Sequence, residues 1–111
     1  MPLNTAGINA VLDQGNEVVM WVGVGGGQTA GDQTSAQRRQ VTFSVASGVL
    51  TDSGVPHSYT GTPGAAATNA LFFSASTAGT FYGYDALSGD ATFNAAGEYD
   101  ITSLTVTGSS T

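Results

Sequence analysis

From Glu17 onward the pattern of apolar residues changes to a period of two, in short runs separated by turns rich in glycine and proline. Successive strand residues point to opposite faces, so this is the signature of half-buried β-strands. The clearest case begins at Gln37, with Arg39, Val41, Phe43 and Val45 on one parity and Gln40, Thr42 and Ser44 on the other. Residues 17–24 are apolar on both parities, Val18, Met20 and Val22 against Val19 and Trp21, which predicts a strand buried on both faces. Trp21 is therefore expected in the core, where its truncation to alanine would cost roughly 3–5 kcal/mol.

Further strands are predicted around Val49-Leu50 and residues 57–59, and over 69–74, 80–87, 91–93 and 98–107. Phe81 falls on one face of its strand, with Tyr82 and Tyr84 on the other. In the last strand Tyr99 and Ile101 share one parity while Leu104 and Val106 take the opposite one. A period-two strand cannot change its buried face without an irregularity, so a bulge or bend is expected near Thr102-Ser103. About seven short strands at roughly 8–12-residue intervals indicate an all-β fold, a small β-sandwich or jelly-roll-like barrel. One short helix is expected ahead of it, over residues 4–14, where Leu3, Ile8, Val11 and Leu12 approximate one face and Gly15 stops the run. The chain of 111 residues reads as a single β domain, 1–111, with the sandwich over 17–107 and a loose tail over 108–111. Residues 25–37, opening with Gly25-Gly26-Gly27, are expected to form a polar, flexible loop.

Composition narrows the function. Net charge is −6, there is no lysine, and Arg38 and Arg39 are the only basic residues. Binding nucleic acid through counterion release needs several cations facing phosphates, and docking on an anionic membrane needs a basic cluster; neither partner is expected. There is no cysteine, hence no disulfide and no thiolate metal site. Met1-Pro2-Leu3-Asn4 lacks the basic-then-apolar pattern of a secretory leader, so synthesis and folding in the cytosol are expected.

No constellation for catalysis emerges. His57 is the sole histidine, no Gly-x-Ser-x-Gly elbow accompanies it, and it reads as an ordinary loop or edge-strand residue whose replacement by alanine leaves the fold intact. One histidine without cysteine does not make a zinc site. Gly23-Val24-Gly25-Gly26-Gly27 lacks the following helix and lysine of a phosphate loop. Glu98 and Asp100 lie two apart on one strand face, the spacing of a solvated edge more than of an acid–base pair. Asp85 and Asp90 flank a turn without the ligand pattern of a calcium loop. Catalytic residues, metal ligands and cofactors are accordingly expected to be none. Candidates for contacts between chains are Arg38 and Arg39, since arginine is enriched at interfaces, and the tyrosines Tyr82 and Tyr84. The competing expectation for the arginines is a salt bridge within the domain.

Three stretches carry a resemblance. Arg38-Arg39-Gln40-Val41-Thr42-Phe43 resembles an A-R-Q-x-V/I-T-F/W strand, and Leu71-Phe72-Phe73-Ser74-Ala75-Ser76-Thr77-Ala78-Gly79-Thr80-Phe81-Tyr82-Gly83-Tyr84-Asp85-Ala86-Leu87 is similar to an L-W-S-A-A-T-G-G-T-F-x-G-x-G-A-L hairpin. Ala91-Thr92-Phe93-Asn94-Ala95-Ala96-Gly97-Glu98-Tyr99 fits an x-T-F-x-x-A-G-T-Y turn, and residues 3–13 fit a short leading helix. These motifs belong, in the same order, to small tail-fibre-like or minor tail virion proteins of tailed bacteriophages of the actinobacteriophage type. The likeness lapses over residues 45–68, and Gly23-Val24-Gly25-Gly26 stands where many members read S-L-H-T. It implies a structural protein of the virion; self-association in closed symmetry such as a trimer, and docking on other virion proteins, are expected because residues 71–74 and 80–87 carry a single charge, Asp85, and no lysine guards a strand edge. Head decoration is the alternative role. A carbohydrate-binding or adhesin module using Trp21 or Tyr84 is the rival from another class.

Overall fold

A computed structural model describes residues 7, 9, 11, 14, 17–46, 49–52, 57–87, 91–101 and 105–107. The protein is all-β. Its strands are β1 (Glu17–Gly25), β2 (Arg39–Ala46), β3 (Val49–Asp52), β4 (His57–Thr60), β5 (Asn69–Phe73), β6 (Phe81–Ala86), β7 (Glu98–Ile101) and β8 (Thr105–Thr107). Six of them form one antiparallel sheet in the order β6-β5-β1-β2-β3-β8, and β4 and β7 pair as a separate ribbon. The expected helix over 4–14 lies largely outside the described residues and is not delimited as an element; of its positions Gly7, Asn9, Val11 and Gln14 are described, in helical backbone. The tail 108–111 lies outside the described residues.

The core forms where the inner face of the sheet meets the ribbon. Val18, Met20, Val22 and Val24 of β1, Val41 and Phe43 of β2, Leu50 of β3 and Phe72 of β5 pack with Tyr59, Tyr99 and Ile101 of the ribbon and with Phe93. Phe43 meets Phe72 edge-on at 6.2 Å between ring centres, and Phe93 tilts against Tyr99 at 5.9 Å, arrangements that suit the ring quadrupoles. The buried Tyr59 hydroxyl donates to the Val22 carbonyl at 2.8 Å, tying ribbon to sheet. Chain segments also close the gap between them. Ala36 N donates to Thr60 O at 2.7 Å, Thr60 N donates to Gln37 Oε1 at 3.0 Å, and Arg39 Nε donates to Ser58 O at 2.9 Å. The free edge of β4 is thereby occupied by residues that lead into β2.

Several sequence expectations are corrected. β1 is buried on both faces only over its second half: Val18, Met20, Val22 and Val24 point inward and Gly23 and Gly25 are buried on the opposite face, where Val19 is 38% exposed and Trp21 half-buried. Trp21 is thus not in the core, because among the described residues no second sheet covers the outer face. Residues 91–93 form no strand, only a bridge between Thr92 and Ala66. The predicted strand 98–107 is two strands serving different partners, β7 on β4 and β8 on β3. The expected irregularity at Thr102-Ser103 lies outside the described residues, between those two strands. Phe81, Tyr82 and Tyr84 are also distributed differently. The β5–β6 register shifts between Phe72 and Phe73, so Phe73 faces Phe81 while Phe72 faces Gly83 and Leu71 faces Tyr84. That bulge places Tyr84 on the same face as Phe81 and leaves Tyr82 packed against the core.

Candidate functional site

The loop after β1 is folded down onto the outer face of the sheet. Gly26 N donates to Asp32 O, Thr34 N and Ser35 N both donate to Val24 O, and Ser35 Oγ accepts from Val24 N. At Thr29 the hydroxyl and the backbone N–H both donate to Asp32 Oδ2, at 2.7 and 3.1 Å, and hold that carboxyl below its usual range. Glycine at position 25 is a packing requirement, since a Cβ there would sit 2.6 Å from both Asp32 O and Leu71 Cδ1. The polar loop of the sequence reading is therefore a cover laid over strands β1 and β5.

Arg38 fastens that cover. Its Nε donates to Gln33 Oε1 at 2.9 Å, and its Nη1 donates to the carbonyls of Ala75 at 3.0 Å and Ala78 at 2.8 Å, in the turn between β5 and β6. The guanidinium lies 3.4 Å from the centre of the Phe73 ring, a cation–π contact that also shields the ring from water. Phe73 is only 2% exposed although it points away from the main core, and Leu71 beside it is fully buried. Burial lowers the pKa of the guanidinium. Neither arginine has a carboxylate within ion-pair distance among the described residues. Among the described residues the expected intradomain salt bridge is replaced by bonds to amide and backbone carbonyl oxygens, weaker acceptors than a carboxylate.

Arg39 points the other way, to the inner side at the rim of the ribbon. Apart from Ser58 O it faces a shallow cleft of about 210 Å³ lined by Arg39, Ser58, Tyr59, Thr60, Glu98 and Asp100. Thr60 is the register partner of Glu98 and Ser58 that of Asp100, so four polar side chains share the ribbon's outward face, all exposed. Glu98 and Asp100 occupy the solvated face expected of them.

His57 departs from the sequence reading. Its Nε2 is paired with Oδ2 of Asp52, whose carboxylate is buried, and the contact bridges β4 to the end of β3. No sequence signal announces this pair, because the residues stand five apart across a segment that contains glycine and proline. The arrangement is a structural tie; groups of three or more metal-binding side chains are absent among the described residues.

The outer face holds what the sequence reading did not assemble. Trp21 on β1 is the register partner of Phe73 on β5, and Phe73 is that of Phe81 on β6. On the other side Trp21 faces Gln40 of β2, and Val19 faces Thr42, both polar residues exposed. Phe73 and Phe81 are tilted rings with centres 5.4 Å apart. The row was legible only in part, because it depends on which strands are neighbours and on the bulge in β6.

No family model, no curated protein and no solved structure matches this chain.

Proposed function

We propose that the protein is a structural, non-catalytic component of a tailed-bacteriophage virion, tail-fibre-like or minor tail in type, assembled in multiple copies on the particle. The observation that carries this reading is the composition of β6. It is an outer strand of the six-stranded sheet, it lies in the hairpin that bears the longest stretch of the resemblance, and Asp85 is its only charge. Outer strands of monomers are ordinarily guarded by lysine, proline or several charges. A strand with one half-buried carboxylate is suited to cover by a neighbouring subunit, and closed symmetry, a trimer for instance, limits such pairing to a finite assembly.

The stacking of ribbon on sheet is read as a lopsided sandwich, an architecture that many cell-surface and viral capsid domains share. Arg38 is committed within the chain, so Arg39 and Tyr84 are the stronger of the four interface candidates, and Tyr82 belongs to the packing of the core. Head decoration calls for the same kind of surface. Mass spectrometry of separated heads and tails from purified particles distinguishes the two: the polypeptide is expected in the tail fraction at several copies per particle. Recovery in the head fraction selects the decoration role. Absence from both, with the protein abundant in the infected-cell lysate, overturns the virion reading.

A further inference from the structure

We propose that the outer face of the six-stranded sheet binds a neutral oligosaccharide along the row made by Trp21, the Arg38-covered Phe73 and Phe81. Trp21, Phe73 and Phe81 are successive register partners across β1, β5 and β6, and neighbouring strands lie about 4.8 Å apart, so the row spans roughly 10 Å. Trp21 and Phe81 are half-buried, each with part of its surface in solvent. The middle position offers the plane of the guanidinium that lies 3.4 Å from the Phe73 ring centre. The row thus places aromatic side chains in succession across three strands, and the weakly positive C–H face of a sugar ring complements the negative face of an indole.

Hydrogen-bonding groups stand where a stacked sugar needs them. Gln40, directly opposite Trp21, and Thr42, opposite Val19, are exposed and on the same face; an amide and a hydroxyl both donate and accept, which matches ring hydroxyls. The platform is also fixed in advance. Arg38 is held by Gln33, Ala75 and Ala78, so little ordering remains to oppose binding.

Charge selects the ligand class. The chain carries a net charge of −6 with two cations in all. Arg38 spends its Nε and Nη1 on internal acceptors, and Arg39 lies on the other side of the sheet, so an anionic saccharide is repelled rather than recognised. A second copy of the chain is a poorer occupant. Glu17, Gln40, Thr42, Ser44 and Thr51 are all exposed on this face, whereas the centres of protein interfaces are apolar and poor in charge.

Trp21 is the only tryptophan, so its fluorescence reports on this face directly. The full chain is titrated with neutral gluco-, manno-, galacto- and arabino-oligosaccharides and with an oligouronate, alongside calorimetry. A saturable emission change with at least one neutral series is expected, with Kd on the order of 1 mM, and no response to the oligouronate. Gln40→Ala keeps the reporter and should weaken binding several-fold; Trp21→Ala, off the main core, should keep the circular dichroism spectrum and abolish calorimetric binding. The proposal is overturned by silence across all neutral series, by unchanged binding in Trp21→Ala, or by tighter binding of the oligouronate. It is equally overturned if Trp21 in the free protein is shielded from iodide while light scattering gives a doubled mass, because a second copy then covers the face. None of these outcomes depends on where the protein resides in a particle.

Discussion

At the scale of single residues, the buried polar groups are the ones most worth changing. His57 supports the carboxylate of Asp52, which lies almost wholly out of water. A hydrogen bond to a charged group contributes about 1.5–3 kcal/mol, so His57→Ala should lower the melting temperature clearly, contrary to the bland role its sequence suggests. A chemical-denaturation curve checks this; an unchanged midpoint would mean that the pair adds nothing. Asp85 gives the opposite case. Partial burial raises its pKa, only partly offset by the Ala86 amide. Folding therefore favours the protonated carboxyl, and this site's contribution is present in acid and lost as pH rises through the folded-state pKa. Asp85→Asn should raise the melting temperature at neutral pH, and that gain should vanish below the ordinary aspartate pKa of about 3.9. Melts of both proteins across that range test the sign. A gain that persists unchanged in acid would place the effect elsewhere. Neither behaviour was legible in the sequence, since both depend on which strand lies over the residue.

At the scale of elements, turns and strands divide between what local pattern dictates and what the partner strand dictates. The alternation from Arg39 to Val45 located β2 and its inward face correctly, because Val41 and Phe43 are buried and Gln40, Thr42 and Ser44 exposed. Residues 17–24 misled because local apolarity cannot distinguish a strand covered on both faces from one whose outer face is covered by a loop near Gly23 and open at Val19. Tyr82 and Tyr84 misled because a bulge is a property of the pair of strands. The turn that leads into β7 shows a purely local requirement. Gly97 has φ +73°, and a Cβ there would lie 2.4 Å from Gly61 O. Non-glycine residues in that region cost about 1–3 kcal/mol, and the backbone contact adds to it. Gly97→Ala should destabilise by at least that much by equilibrium unfolding, while Gly31→Ala, with nothing within 4 Å, should not. Similar losses in both would remove the steric explanation.

At the scale of the whole molecule, the period-two patterning anticipated the all-β class and left the candidate site scattered. Of the interface candidates, Arg38 lies on the outer face, where it holds a loop, and Arg39 on the inner side, at a polar cleft by the ribbon, a separation that follows from adjacent strand residues pointing to opposite faces. The aromatic row on the outer face needed the strand order β2-β1-β5-β6, which brings residues 21, 40, 73 and 81 together from distant parts of the chain. The central claim is that this is an assembling subunit whose outer strand β6 is covered by another copy. Light scattering of the full chain over micromolar concentrations tests it most directly. The expected result is a discrete mass at a small integral multiple of the single chain, falling toward one chain on dilution or when charges are placed on β6, as in Phe81→Lys with Ala86→Lys. A single-chain mass for the wild type at every concentration, with no association onto particles, would contradict it.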